Sequence, residues 1–177
     1  RLVSALDASG YAENTVIVLW SDHGFHLGEK DHIEKFALWE KANHVPFIIV
    51  DPRSPRSAGK TCVHPVDLTT VYPTLLELCG LPANGTNDGI SVAAQVKDPG
   101  LAISKPALMT YGFNNHAIRT ARWRYIRYAD GSEELYDHDK DPNEWNNLAS
   151  NPVYAQIVRE HVEWMPGNNA KAYGRLR

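Results

Sequence analysis

The sequence predicts an α/β unit followed by a small antiparallel sheet with a C-terminal helix. Two uninterrupted apolar runs, residues 16–20 and 46–50, predict the first part, together with a helical repeat from Leu68 to Cys79. Runs of this kind read as strands buried on both faces, the usual state inside a parallel sheet. Beyond residue 104 the pattern changes to short strands broken by turn residues, which predicts the second part.

The elements follow in order. Leu2, Val3 and Leu6 read as the tail of an amphipathic helix ending near Gly10, so the chain is expected to be the C-terminal part of something larger. After the first strand, residues 24–44 form a long connection rich in charge and histidine, with a short helical turn over 37–43. Loops of that length are usually functional. Residues 51–60 are a surface loop by composition. Leu68, Val71, Tyr72, Leu75, Leu76 and Cys79 then share one helical face. Pro73 places the helix start near Val71 or kinks it there, and Gly80 and Pro82 stop it. Residues 107–112 are a strand, and 116–120 and 124–128 are hairpin strands. Asp130-Gly131 makes a tight turn before a strand at 133–137. Asn151-Pro152 caps a last helix, whose inward stripe is Tyr154, Ile157, Val158, His161, Val162 and Met165. The division falls near residue 103, giving domains 1–103 and 104–177.

Composition narrows the class. The 177 residues are 43% hydrophobic and 22% charged, a globular balance, with a net charge of −3 that gives no general pull toward nucleic acid or anionic membrane. No apolar run approaches the ~20 residues of a membrane span. Cys62 and Cys79 match no zinc spacing and read as buried free thiols, with a bridge between them left open.

Chemistry concentrates where the first strand ends, in Ser21-Asp22-His23-Gly24. In open α/β sheets, ligands gather at the carboxyl ends of the strands. Two readings fit: a turn in which Asp22 caps amides, or a metal-binding pair of Asp22 and His23. Lys35, thirteen residues after Asp22, is either a solvated lysine or a point charge for an anionic oxygen. His26 and His32, in a polar loop, are expected to be exposed.

These residues resemble the sulfatase family of the alkaline-phosphatase-like superfamily, and most nearly its iduronate-2-sulfatase-like branch. Ser21-Asp22-His23-Gly24, Leu27-Gly28-Glu29, Lys35 and Val45-Pro46 stand in the family's order. So do Pro65-Val66-Asp67-Leu68, Pro73 to Leu78, Asp88 to Ser91, Arg119, Arg124-Tyr125-Ile126, Glu134 to Asp137, Asp141 to Glu144 and Asn147-Leu148. The resemblance implies that residues 1–103 are the C-terminal part of the catalytic α/β domain. It implies that Asp22 and His23 are half of a calcium site, although an Asp-His pair by ligand chemistry alone leans to zinc. Lys35 then binds the sulfate and neutralises charge on the ester oxygen. The implied activity is desulfation of a sulfated saccharide, in the periplasm, a lysosome or outside the cell, with the N-terminal part of the same sulfatase as partner.

Sulfatases use a formylglycine made from Cys or Ser in Cys/Ser-x-Pro-x-Arg. Neither cysteine fits, and Ser104-Lys105-Pro106-Ala107-Leu108 lacks the arginine. The nucleophile is therefore expected upstream, and this stretch alone is expected to be inactive. Arg119, Arg122, Arg124 and Arg127 near Trp123, Tyr125 and Tyr128 resemble a nucleic-acid surface, but the acids that follow favour cross-strand ion pairs and no nucleic acid partner. His116 either lines the substrate pocket or is structural. The rivals are a phosphomonoester or phosphonate hydrolase of the superfamily and a non-catalytic sulfatase-like module.

Overall fold

β1 (Ile17–Trp20) and β2 (Phe47–Val50) pair antiparallel, with Trp20 opposite Phe47 and Ile17 opposite Val50. This corrects the expectation of parallel strands. Residues 21–46 leave β1 and enter β2 at the same end of the ladder, a return that needs no crossover. Within these residues the ladder is only partly covered: Leu19 is 56% exposed and Ile48 51%.

The computed structural model describes residues 1–170, so positions 171–177 of the expected second domain lie outside the described residues. The chain forms two compact units. Residues 1–22, 46–63 and 68–104 make the first, and 23–45, 64–67 and 105 onward make the second. Segments 23–45 and 64–67 therefore pack with the C-terminal sheet, although they precede the division drawn near residue 103. Among the described residues no helix is long and apolar enough to cross a membrane.

In the first unit, α1 (Leu2–Asp7) precedes β1, and α3 (Val71–Leu78) follows a single 3-10 turn at Leu68–Thr70. Pro73 sits in the first turn of α3, where its missing amide costs nothing. Gly80, at φ +67°, ends the helix as sequence predicts. Its amide donates to Glu77 (3.1 Å) and that of Leu81 to Leu76 (2.8 Å), the paired closure that a left-handed residue permits. Cys79 is the exposed residue at that helix end and Cys62 is half-buried. Both thiols are free, so the expected burial holds for neither. Thr74 accepts from the Val92 amide (2.9 Å) and so ties α3 to α4 (Ala93–Lys97), a helix not read from sequence. At the end of β2, Asp51 takes two bonds from the Arg53 guanidinium (2.8 and 3.1 Å), which also donates to the Leu78 carbonyl (2.6 Å).

The second unit is an antiparallel meander, β3 (Ala107–Thr110), β4 (His116–Arg119), β5 (Trp123–Arg127) and β6 (Glu133–Asp137). The Asp130-Gly131 turn closes the last hairpin, with the Tyr128 amide donating to Ser132 (2.9 Å). Side chains alternate along β5. Trp123 and Tyr125 face α5 (Ala155–Val162), meeting Tyr154 and His161, while Ile126 packs with Leu38, Ala117 and Tyr136. The helix thus covers one face, and loop 23–45, carrying the short α2 (Glu40–Asn43), covers the other. Asn151 caps the final helical stretch by accepting from the Val153 amide (3.0 Å).

Candidate active site

Loop 23–45 holds two of the three residues singled out from sequence after β1. A lysine ammonium only donates, so at 3.0 Å Lys35 Nζ gives a hydrogen bond to His23 Nε2. The ring proton therefore sits on Nδ1, which donates to the Gly24 carbonyl at 2.7 Å. His23 turns its Nε2 toward Lys35, and Lys35 is half-buried rather than freely solvated. Asp22 precedes His23 along the chain as the last residue of the first unit, and it is exposed.

Gly24 fixes this arrangement. Its amide donates to the Ala42 carbonyl at 2.8 Å, and a Cβ at this position would lie 2.0 Å from the Lys41 oxygen. Only glycine lets the backbone beside His23 approach α2 so closely.

The rest of the loop is fastened to the sheet. Lys30 and Asp31 have φ of +58° and +55°, costly for side-chain-bearing residues. Lys30 Nζ lies 4.8 Å from the Trp39 ring and 4.7 Å from the Tyr136 ring, and it donates to Tyr136 Oη (3.1 Å) and the Glu144 carbonyl (2.5 Å). Sequence reasoning missed this clamp, since a lysine in a polar loop carries no signal of its aromatic partners. His26 is buried, not exposed as expected, and its ring and that of His32 pack edge-on against Trp39. Burial lowers the His26 pKa and keeps it neutral.

Beneath the loop, Arg124 is buried and paired with Glu40 and with Glu144 (2.6 Å), while its guanidinium also donates to the Leu38 carbonyl (2.8 Å). Arg119 pairs with Glu40 (3.2 Å) and donates to His138 Nδ1 (2.9 Å), so His138 Nε2 carries the proton and donates to Glu144 (2.9 Å). Burial opposes the Glu40 carboxylate, but Arg124 and then Arg119 outweigh it and hold its pKa down to about 2. Glu40, His138 and Glu144 have metal-ligand atoms within 4.8 Å of one another, yet the two guanidinium groups already neutralise the acids. Arg119, Arg122 and Arg124 thus form ion pairs, but not from strand to strand of the hairpins as expected. Arg122, in the turn before β5, pairs with Asp137 of β6 (2.6 Å), and Glu40 and Glu144 come from outside the sheet.

His116 is buried in β4. Its Nε2 donates to Asn169 Oδ1, and its Nδ1 accepts from the Thr110 hydroxyl at 2.9 Å.

Residues 1–81 match the sulfatase family model. The chain is 45% identical over 96% of its length to a sulfatase of Formosa agariphila, covering 33% of that protein. A protein solved in complex with its substrate, D-glucosamine-2-N,6-O-disulfate, superimposes with TM-score 0.77 at 25% identity, over 92% of this chain and 35% of that one. A phosphonate monoester hydrolase of Agrobacterium radiobacter superimposes with TM-score 0.78 at 26% identity, over 92% of this chain and 36% of that one. The chain spans about a third of the length of the curated relatives it matches. Its architecture is that of the alkaline-phosphatase-like fold, and along nearly its whole length the chain is similar to sulfatases.

Proposed function

We propose that these residues are part of a sulfuric ester hydrolase that removes sulfate from a sulfated saccharide, and that Lys35 is the sulfate-binding cation. The observation that carries this reading is the Lys35–His23 contact of 3.0 Å, which holds an ammonium half-buried against an imidazole ring. A lysine so held has spare protons for an anionic oxygen and is not neutralised by an acid at that contact. Sulfate ester cleavage gathers negative charge on the leaving oxygen, where a fixed cation acts most strongly.

We propose Asp22 and His23 as half of a divalent-metal site. His23 keeps its proton on Nδ1, so an ion held at Nε2 would take the lone pair that here accepts from Lys35. A calcium ion takes 6–8 oxygen ligands, and the family resemblance implies that an Asp-Asp pair near the N-terminus of the complete enzyme supplies the other half of the site. When bound, the ion would add positive charge beside the sulfate oxygens. Zinc found by metal analysis of the complete enzyme, with activity surviving calcium depletion, would replace calcium in this reading.

The formylglycine nucleophile is assigned to the remainder of the enzyme, because no Cys/Ser-x-Pro-x-Arg occurs among these residues. His116 is assigned to the pocket wall, where substrate would have to compete with Asn169 for its Nε2. Action on an extracytoplasmic saccharide, in the periplasm, a lysosome or outside the cell, accords with the family resemblance.

The likeness to a phosphonate monoester hydrolase keeps one second reading alive. The complete enzyme assayed on matched aryl sulfate, aryl phosphate and aryl phosphonate esters decides between them. Faster sulfate hydrolysis, with formylglycine detected by mass measurement, is expected. A preference for the phosphorus esters would overturn the sulfatase reading.

A further inference from the structure

We infer that Phe36 and Tyr111 form a stacking platform for the sugar ring of the substrate, one residue from the anion-holding Lys35. The inference rests on the sulfatase reading above and adds a binding subsite to it.

The two rings stack with centroids 5.6 Å apart and planes 24° from parallel. Phe36 is 44% exposed and Tyr111 41%, so both large apolar side chains stand open to solvent. Paired exposed aromatics are a costly surface and mark contact sites. They are also firmly held. The Ala37 amide donates to the Lys35 carbonyl (2.9 Å), closing a three-residue turn with Phe36 at its apex. The Tyr111 amide donates to the Asn115 carbonyl (3.0 Å), and Asn115 in turn accepts from the Ala129 amide (3.0 Å). A platform of fixed rings loses little freedom when a ligand lies on it.

Its occupant follows from charge and shape. Lys35 Nζ lies over the Phe36 ring, 5.4 Å from its centroid, so a cation stands on the platform itself. A sulfated pyranose presents the matching pair of features. One ring face is lined with C–H bonds of slight positive charge, which suits the negative face of an aromatic ring. Its sulfate stands one ester oxygen beyond the ring edge. With the sulfate on Lys35, the sugar ring comes within reach of Phe36 and Tyr111. An alkyl sulfate has the anion but no flat face.

The test measures binding to the complete enzyme as wild type, Phe36→Leu, Tyr111→Leu and Phe36→Trp. The probes are a sulfated disaccharide and inorganic sulfate, titrated calorimetrically, with desulfation of the disaccharide followed in parallel. Each leucine variant is expected to bind the disaccharide about tenfold more weakly. Phe36→Trp is expected to bind it as the wild type does, and all variants are expected to hold inorganic sulfate within about twofold, the size of a few tenths of a kcal/mol. Unchanged disaccharide affinity in both leucine variants would overturn the platform. So would an equal loss for disaccharide and inorganic sulfate, which would make the rings mere props for Lys35, and so would failure of the wild type to bind the disaccharide. Ring-dependent binding without desulfation would uphold the platform and overturn the sulfatase reading instead.

Discussion

Lys35 and His23 show how neighbours set what an ordinary side chain can donate or accept. The Gly24 carbonyl chooses the imidazole tautomer, and the tautomer decides what Lys35 can meet. Removing the ammonium as Lys35→Ala is expected to lower kcat on a sulfate ester by about 10²–10³, the usual loss for one oxyanion donor. Steady-state kinetics on the complete enzyme check this, and a loss below about tenfold would leave Lys35 a structural residue by the same scale. Glu40 gives a prediction in acid. Its folded pKa of about 2 lies below the ordinary 4.5, so its stabilising contribution is complete above about 4.5 and disappears as pH falls toward 2. The depression corresponds to about 3 kcal/mol. Glu40→Gln should therefore flatten the acid limb of a denaturant-midpoint profile while lowering stability near neutrality.

Each element was legible to the extent that its cause is local. The helix at Val71–Leu78 shows its stripe and its stop in consecutive residues, and Asp130-Gly131 marks its own turn. The ladder partner of β1 was not legible, because nothing within residues 16–20 encodes the direction of a strand beginning at Phe47. The support under loop 23–45 was equally hidden. Arg124 and Glu40 are 84 positions apart, and their pairing is decided by the alternation that turns Arg124 toward the loop-covered face. The Asp22-His23 pair stood out from its place at the end of the first apolar run, whereas Lys35 drew a role only from the family resemblance. Gly24 links that motif to α2. Gly24→Ala forces a methyl group to 2.0 Å from the Lys41 oxygen, so the backbone there must move. The expected cost is about 2 kcal/mol or more, as for overpacking elsewhere. Urea denaturation measures it, and an unchanged midpoint would show that α2 yields freely.

At the scale of the whole molecule, the surface of β1 and β2 matters most. Leu19, Trp20, Ile48 and Val50 are all about half exposed on a two-stranded ladder. A polypeptide of these 177 residues made alone is expected to aggregate and to cleave no sulfate ester. Size-exclusion chromatography showing a monodisperse, cooperatively unfolding monomer would contradict the first expectation. The threading of the second unit has a consequence for biosynthesis. Loop 23–45 leaves the ribosome early, but the Glu40 amide is held by a Glu144 carboxylate 104 positions later. During vectorial translation this loop must wait, unsupported, for nearly the entire C-terminal sheet to emerge. Nascent chains arrested before residue 144 should therefore be cut by protease within 23–45, and chains released beyond it should resist.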